Sequence, residues 1–220
     1  MKDKSLIYLG LLLSFFWFAD TFTKIFIYHQ PLRTLWFSSA GLGITIIALF
    51  TKSSFLITSM ISALSAIEGV WIIGFLSKLL FNKALPGVAE YAFRRGYPGW
   101  EFVITLYHLF LIPILLFAVF KTKRVHKLGW LGATVFTTII AFATYFLADN
   151  KENINCIYKL DYCQSFLKPL YQFDNPERIF IGILFLTLIL FMPINWLILR
   201  ISNHFARGGG ETLSKAEWAP

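Results

Sequence analysis

SSFLITSMISALSAIEGVWIIGFLSKLLFN, residues Ser53 to Asn82, decides the fold. The stretch is long enough to cross a bilayer, whose hydrocarbon core needs about 20 apolar residues in a helix. Its one acidic residue, Glu68, sits in the middle. A carboxylate at that depth costs roughly 2.5 to 3.5 kcal/mol on insertion scales, so it has to be neutralised, paired or set in a polar cavity. Thr58, Ser62, Ser65 and Gly69 recur at helical spacing and form a narrow stripe of small and polar residues, with Glu68 one turn on from Ser65 at its edge. Such a stripe alone is ordinary packing between membrane helices. Beside a mid-membrane carboxylate it becomes the border of a candidate site, and Ser65 a candidate ligand contact.

The composition extends the membrane reading to the whole chain. Of 220 residues, 57% are hydrophobic and only 15% charged, with a mean hydropathy of +0.64; soluble domains have about 45–50% apolar and 25% charged residues. The net charge of +8 comes from Lys and Arg that fall mostly between apolar runs, as membrane anchoring requires. No basic stripe interleaved with exposed aromatics is left once the spans are removed, so nucleic acid is excluded as a partner and membrane lipids are expected instead.

Working outward, the apolar runs predict an all-α transmembrane bundle of six spans, at about 5–28, 34–50, 54–81, 101–120, 128–148 and 179–201. Together they make one domain over 1–205, followed by a flexible polar tail over 206–220. The first run follows a basic start and resembles a signal sequence. It lacks a small-x-small cleavage pattern and continues to Tyr28, so it is read as a helix. Asp20 on that helix precedes Lys24 by four residues, which offers two readings: an ion pair on the helix surface, or a carboxylate facing a polar pocket. The fourth span carries Tyr107, His108 and Pro113; the proline deprives the carbonyl of Leu109 of its helix partner and loosens the backbone beside the histidine. Between spans three and four, Asn82–Trp100 holds two prolines, three glycines and the pair Arg94 and Arg95, suited to a structured loop at the headgroups.

Between spans five and six lies a long loop with Asn150, Asn153 and Asn155 followed by Cys156 and Cys163. The density of cations in the short loops, above all Lys121–Lys127, places both termini in the cytoplasm. The cysteine loop then lies on the other side, where a Cys156–Cys163 disulfide can persist. Two cysteines make no zinc site by themselves, and His29, His108, His126 and His204 show no metal-ligand spacing, so neither a metal nor another cofactor is expected.

Counting the helical rise puts Asp20 about 22 Å along from Ser5, in the outer part of the bilayer, His108 about 12 Å in from Trp100, and Glu68 at the middle of the bilayer or slightly outward of it. Their convergence in one cavity, covered by the Asn82–Trp100 loop and the Asn150–Cys156 segment, is the functional expectation. Glu68, His108 and Asp20 are its candidate acid/base groups; Ser65, Tyr107, Asn150, Asn153, Asn155 and Arg94 are its candidate ligand contacts. An imidazole and a buried carboxyl can share proton transfer, and 18% aromatic residues suit an apolar ligand. The sequence thus favours a membrane-embedded enzyme or binding protein for a lipid-like or other apolar small molecule. A small proton-coupled transporter, or a structural subunit that uses Glu68 to bind a protein partner, are the alternatives; no internal repeat supports the former, and no protein partner is named by the chain.

Overall fold

The computed structural model describes residues 4–83, 89–93, 96–148, 154–156 and 175–208. They are helical, with no strand among the described residues. The helices are α1 (Ser5–Phe22), α2 (Phe37–Thr51), α3 (Ser54–Phe81), α4 (Gly99–Thr105), α5 (Tyr107–Thr122), α6 (Gly129–Leu147), α7 (Asn175–Leu186) and α8 (Met192–Gly208). A π-helical turn, Thr23–Ile27, extends α1, and another, Thr187–Phe191, joins α7 to α8. Five of the resulting rods are long and apolar enough to cross a membrane, while Phe37–Thr51 is shorter. The architecture is that of a multi-pass membrane bundle.

The α3 helix begins and ends as its sequence dictates. Ser53 caps its first turn by accepting the Leu56 N–H, and Asn82 closes its last in the left-handed conformation. At 28 residues it is the longest α-helix among the described residues, and it is the axis of the molecule, packed against α2, α5, α6 and α8. Glycines set the closest approach. A Cβ on Gly129 would strike Thr58 and lie 2.5 Å from Asn195 Oδ1, and one on Gly132 would strike Ser59, so α6 seats its start directly on the start of α3. On the other side Gly41 of α2 receives the side chain of Leu64. Large apolar side chains point outward along every rod, among them Phe15, Phe18, Leu80, Ile139, Phe146 and Phe180, which is the surface lipid requires.

The turns after α2 and α5 share one end of the bundle, the basic end. There the His126 N–H donates to Thr58 Oγ1 at 3.1 Å, and Asn195 Nδ2 donates to the Lys127 carbonyl at 3.1 Å. At the opposite end, Asn155 accepts the Phe37 N–H and donates to the Leu35 carbonyl and Thr144 Oγ1, tying the start of α2 to the end of α6.

Several boundaries differ from the sequence expectation. The second span starts at Phe37 rather than 34, because Pro31–Leu35 forms a tight 3-10 turn and Trp36 is extended. The fourth runs from Gly99 to Thr122 and is broken at Leu106. The last helix continues past 201 to Gly208, into the stretch expected to be a tail.

Candidate functional site

Glu68 projects from the middle of α3 toward α5, where its Oε2 meets His108 Nδ1 at 2.6 Å. Glu68 is 0% exposed and His108 7%. A contact this short between a carboxyl and an imidazole, shielded from water, holds one proton between the two groups. The carboxyl's other oxygen, Oε1, is buried with no hydrogen-bond partner among the described residues.

The backbone hydrogen bonding of the helix is interrupted on both sides of His108. One turn before it, Leu106 N–H bonds Val103 O and Leu109 N–H bonds Leu106 O, so the chain tightens to 3-10 spacing at the join of α4 and α5. Five residues after it, Pro113 lies inside the helix and leaves the Leu109 carbonyl without its α-helical donor. The imidazole is fixed instead by its neighbours: Trp71 stacks on it at 4.4 Å between centroids, and Tyr107 at 4.2 Å. Phe75 in turn stacks on Trp71 at 5.0 Å, and Phe93 and Phe102 pack against Phe75.

Trp71 and Phe75 belong to the site because they follow Glu68 at helical spacing, three and seven residues on, and share its face of α3. Trp71 Nε1–H donates to the Tyr91 hydroxyl at 3.1 Å, which brings the 89–93 turn down onto the same cluster. Burial pushes the Tyr91 phenol well above its ordinary range, so its hydroxyl keeps its proton. Beside it, Tyr97 shares a hydrogen bond with Thr105 Oγ1 at 3.2 Å. Neither Trp71 nor Tyr91 was an expected site residue; the helical spacing from Glu68 was the available signal for the first, and nothing in the sequence marked the second.

Of the three ionisable residues expected to converge, two are joined directly. Asp20 pairs with Lys24 at 2.7 Å, four residues along its own helix, and the same ammonium also donates to Ser39 on α2. Ser65 turns its hydroxyl back to the Ile61 carbonyl at 2.6 Å. Asn155 uses its amide on the backbone of α2 and on Thr144. Arg94, Asn150, Asn153, Cys163 and the side chain of Cys156 lie outside the described residues, and the disulfide expectation with them. Among the described residues no three His, Cys, Asp or Glu side chains gather into a set that could hold a metal ion.

The chain was compared with protein families, curated proteins and solved structures, and none of them matches it. The site's chemistry has therefore to be read from its own geometry. A carboxyl and an imidazole sharing a proton in a dry, aromatic surrounding can donate or accept that proton at either residue, and can orient a polar group on an otherwise apolar molecule.

Proposed function

We propose that this chain is a membrane-embedded enzyme or binding protein for a lipid-like or other apolar small molecule, with Glu68 and His108 as its acid/base or orienting pair. The observation that carries this reading is the 2.6 Å contact between Glu68 Oε2 and His108 Nδ1 at the buried centre of the bundle. Intramembrane ionisable residues are costly, and function is the usual reason for keeping them. Two features support a ligand beside the pair. The Glu68 Oε1 atom has capacity for a further hydrogen bond that no described residue fills, and the adjoining side chains Trp71, Phe75, Phe93 and Phe102 form an apolar aromatic wall. With Nδ1 engaged by Glu68, chemistry at the imidazole falls to Nε2.

In this reading the chain spans the membrane six times, with α2 as a short span, both termini in the cytoplasm and the Cys156–Cys163 loop outside. Asp20 and Tyr107 would tune the field at the pair, and Arg94, Asn150 and Asn153 would meet the ligand's polar end. The structural-subunit alternative is less favoured because Glu68 finds its partner within its own chain and needs no basic residue from another.

The test is mass spectrometry of molecules co-extracted with the gently purified protein, comparing wild type with Glu68→Gln and His108→Ala. A specific apolar compound retained by wild type and lost or chemically altered in the variants is the expected result. The same bulk lipid in all three samples would overturn the proposal.

A further inference from the structure

Trp71 is held at both its face and its edge. The indole face stacks on the His108 imidazole, with 4.4 Å between centroids and 19° between planes, and the Nε1–H at its edge donates to the Tyr91 hydroxyl at 3.1 Å. Phe75 stacks on the same indole with 17° between planes. Both Trp71 and Phe75 are buried, yet the only polar atom of the indole is tied to a residue outside α3. Tyr91 owes its place to its neighbours in the 89–93 turn: Ala89 and Ala92 are buried, and Phe93 packs against Phe75 and Phe102. The turn thus delivers a hydroxyl to Trp71 and reaches His108 through the indole.

The proton between Glu68 Oε2 and His108 Nδ1 can stand on either atom. On His108 it makes the ring an imidazolium, and a cation over an aromatic face within about 6 Å of the centroid is attracted by the negative π-face, most strongly by that of tryptophan. With the proton on Glu68 the imidazole is neutral and that attraction is lost. An indole that donates its N–H to an acceptor also carries a more negative face, because hydrogen bonds polarise the groups they join. Through one bond, therefore, Tyr91 both keeps the indole nearly parallel to the imidazole and strengthens the face it presents. Tyr107 stacks on the same imidazole at 4.2 Å, but its place is set by the backbone it shares with His108, whereas that of Trp71 depends on a separate segment.

We infer that Tyr91 is a positioning residue for the Glu68–His108 pair: by holding Trp71 against the imidazole it biases the shared proton toward His108. The inference rests on the acid/base reading of the pair and adds to it which partner holds the proton at rest. His108 is then the group that gives a proton and Glu68 the group that receives one. The bias moves a single proton between Oε2 and Nδ1, so the total charge of the pair is unchanged and nothing is oxidised or reduced.

The experiment uses the full chain in lipid bilayers, with histidine and tryptophan labelled by nitrogen-15, and reads the one-bond coupling between His108 Nδ1 and its proton, which falls as the proton moves to Glu68. Tyr91→Phe keeps the ring and removes the acceptor; Trp71→Phe keeps a ring beside His108 and removes the donor. Tyr91→Phe should shift the division of the proton about twofold toward Glu68, and Trp71→Phe by at least as much. Adding Tyr91→Phe to Trp71→Phe should shift it no further, because the bond is already gone. A merely structural Tyr91 would lower stability and leave the coupling where it is. A coupling unchanged by Tyr91→Phe, or lowered equally in both backgrounds, would overturn the assignment. If Trp71→Phe does not fold, the Trp71 Nε1 proton gives the second reading in Tyr91→Phe alone: it should lose its hydrogen-bonded shift together with the change at His108, and a change at His108 without it would overturn the assignment. Glu68→Met tests the pair itself. A coupling the same there as in wild type removes the pair and its acid/base reading, whereas one that responds to Glu68→Met but not to Tyr91→Phe removes the role of Tyr91 alone.

Discussion

Replacing His108 by Phe isolates the contact at the centre of the bundle. Phenylalanine keeps a ring between Trp71 and Tyr107, which stack on the imidazole at 4.4 and 4.2 Å, so the aromatic packing survives and only the partner of Glu68 is lost. Glu68 would then hold both carboxyl oxygens unpaired at 0% exposure, since Oε1 already has no partner. Removing one member of a buried pair in this way typically costs about 3–5 kcal/mol. Glu68→Met is milder, because it leaves a single unpaired ring nitrogen on a residue that retains slight exposure; a loss of about 1–2 kcal/mol is expected, near that of one unsatisfied polar group. The double variant buries two apolar side chains of similar shape and should lie within about 1 kcal/mol of wild type. The assay is unfolding of the full chain in mixed micelles by a denaturing detergent, with all four proteins measured under one condition. Additive losses, with the double variant as poor as the two singles combined, would refute the coupling of the two groups.

Other outcomes follow from the packing and the caps. Gly132→Ala sets a Cβ against Ser59 and 2.7 Å from the Phe55 ring, where Gly182→Ala meets nothing within 4 Å; overpacking should cost the first about 1–3 kcal/mol and the second little, by the same unfolding assay. Asn155→Ala removes three hydrogen bonds and puts alanine at φ 54°, so a loss of about 2–4 kcal/mol is expected. Asn155→Gly should recover only the backbone part; equal stability of Asn155→Gly and wild type would show that the bonds contribute nothing. Burial raises the Tyr91 phenol above its ordinary 10.0, so above that pH the unfolded chain has released a proton the folded chain still holds. The stability this group carries is complete below pH 10 and is lost as the pH rises through its folded value. Tyr91→Phe should therefore flatten the alkaline decline in stability, and an unchanged decline would contradict the burial.

Much of the bundle was legible because lipid imposes a simple rule on composition. Long apolar runs with cations between them marked the rods, and Ser53 and Asn82 marked the ends of α3. What escaped the sequence were the places where the backbone leaves the α-helical path. Nothing in the residues around Leu106 announces the break there, whereas Pro113, the obvious suspect, sits within a continuous helix. The π-helical turn at Thr23–Ile27 was equally silent.

At the site, the direction in which each side chain points was not legible. Counting the rise per residue left Glu68, His108 and Asp20 close enough in depth for one cavity, yet which of them touch depends on the rotation of each helix and on which helices are neighbours. Glu68 faces α5 and finds His108, while Asp20 is engaged at closer range by Lys24 on its own helix. The aromatic partners show the same limit. Trp71 could have been inferred from its spacing to Glu68, but Tyr91 reaches the cluster through a loop whose path no periodicity describes.

The most direct test of the account is the nitrogen-15 and proton magnetic resonance of His108 in the full-length protein in bilayers. A proton shared with Glu68 should give a strongly deshielded signal at Nδ1, coupled to that nitrogen and absent from Glu68→Met. An ordinary imidazole signal, the same in wild type and variant, would contradict the pairing on which the proposed chemistry depends.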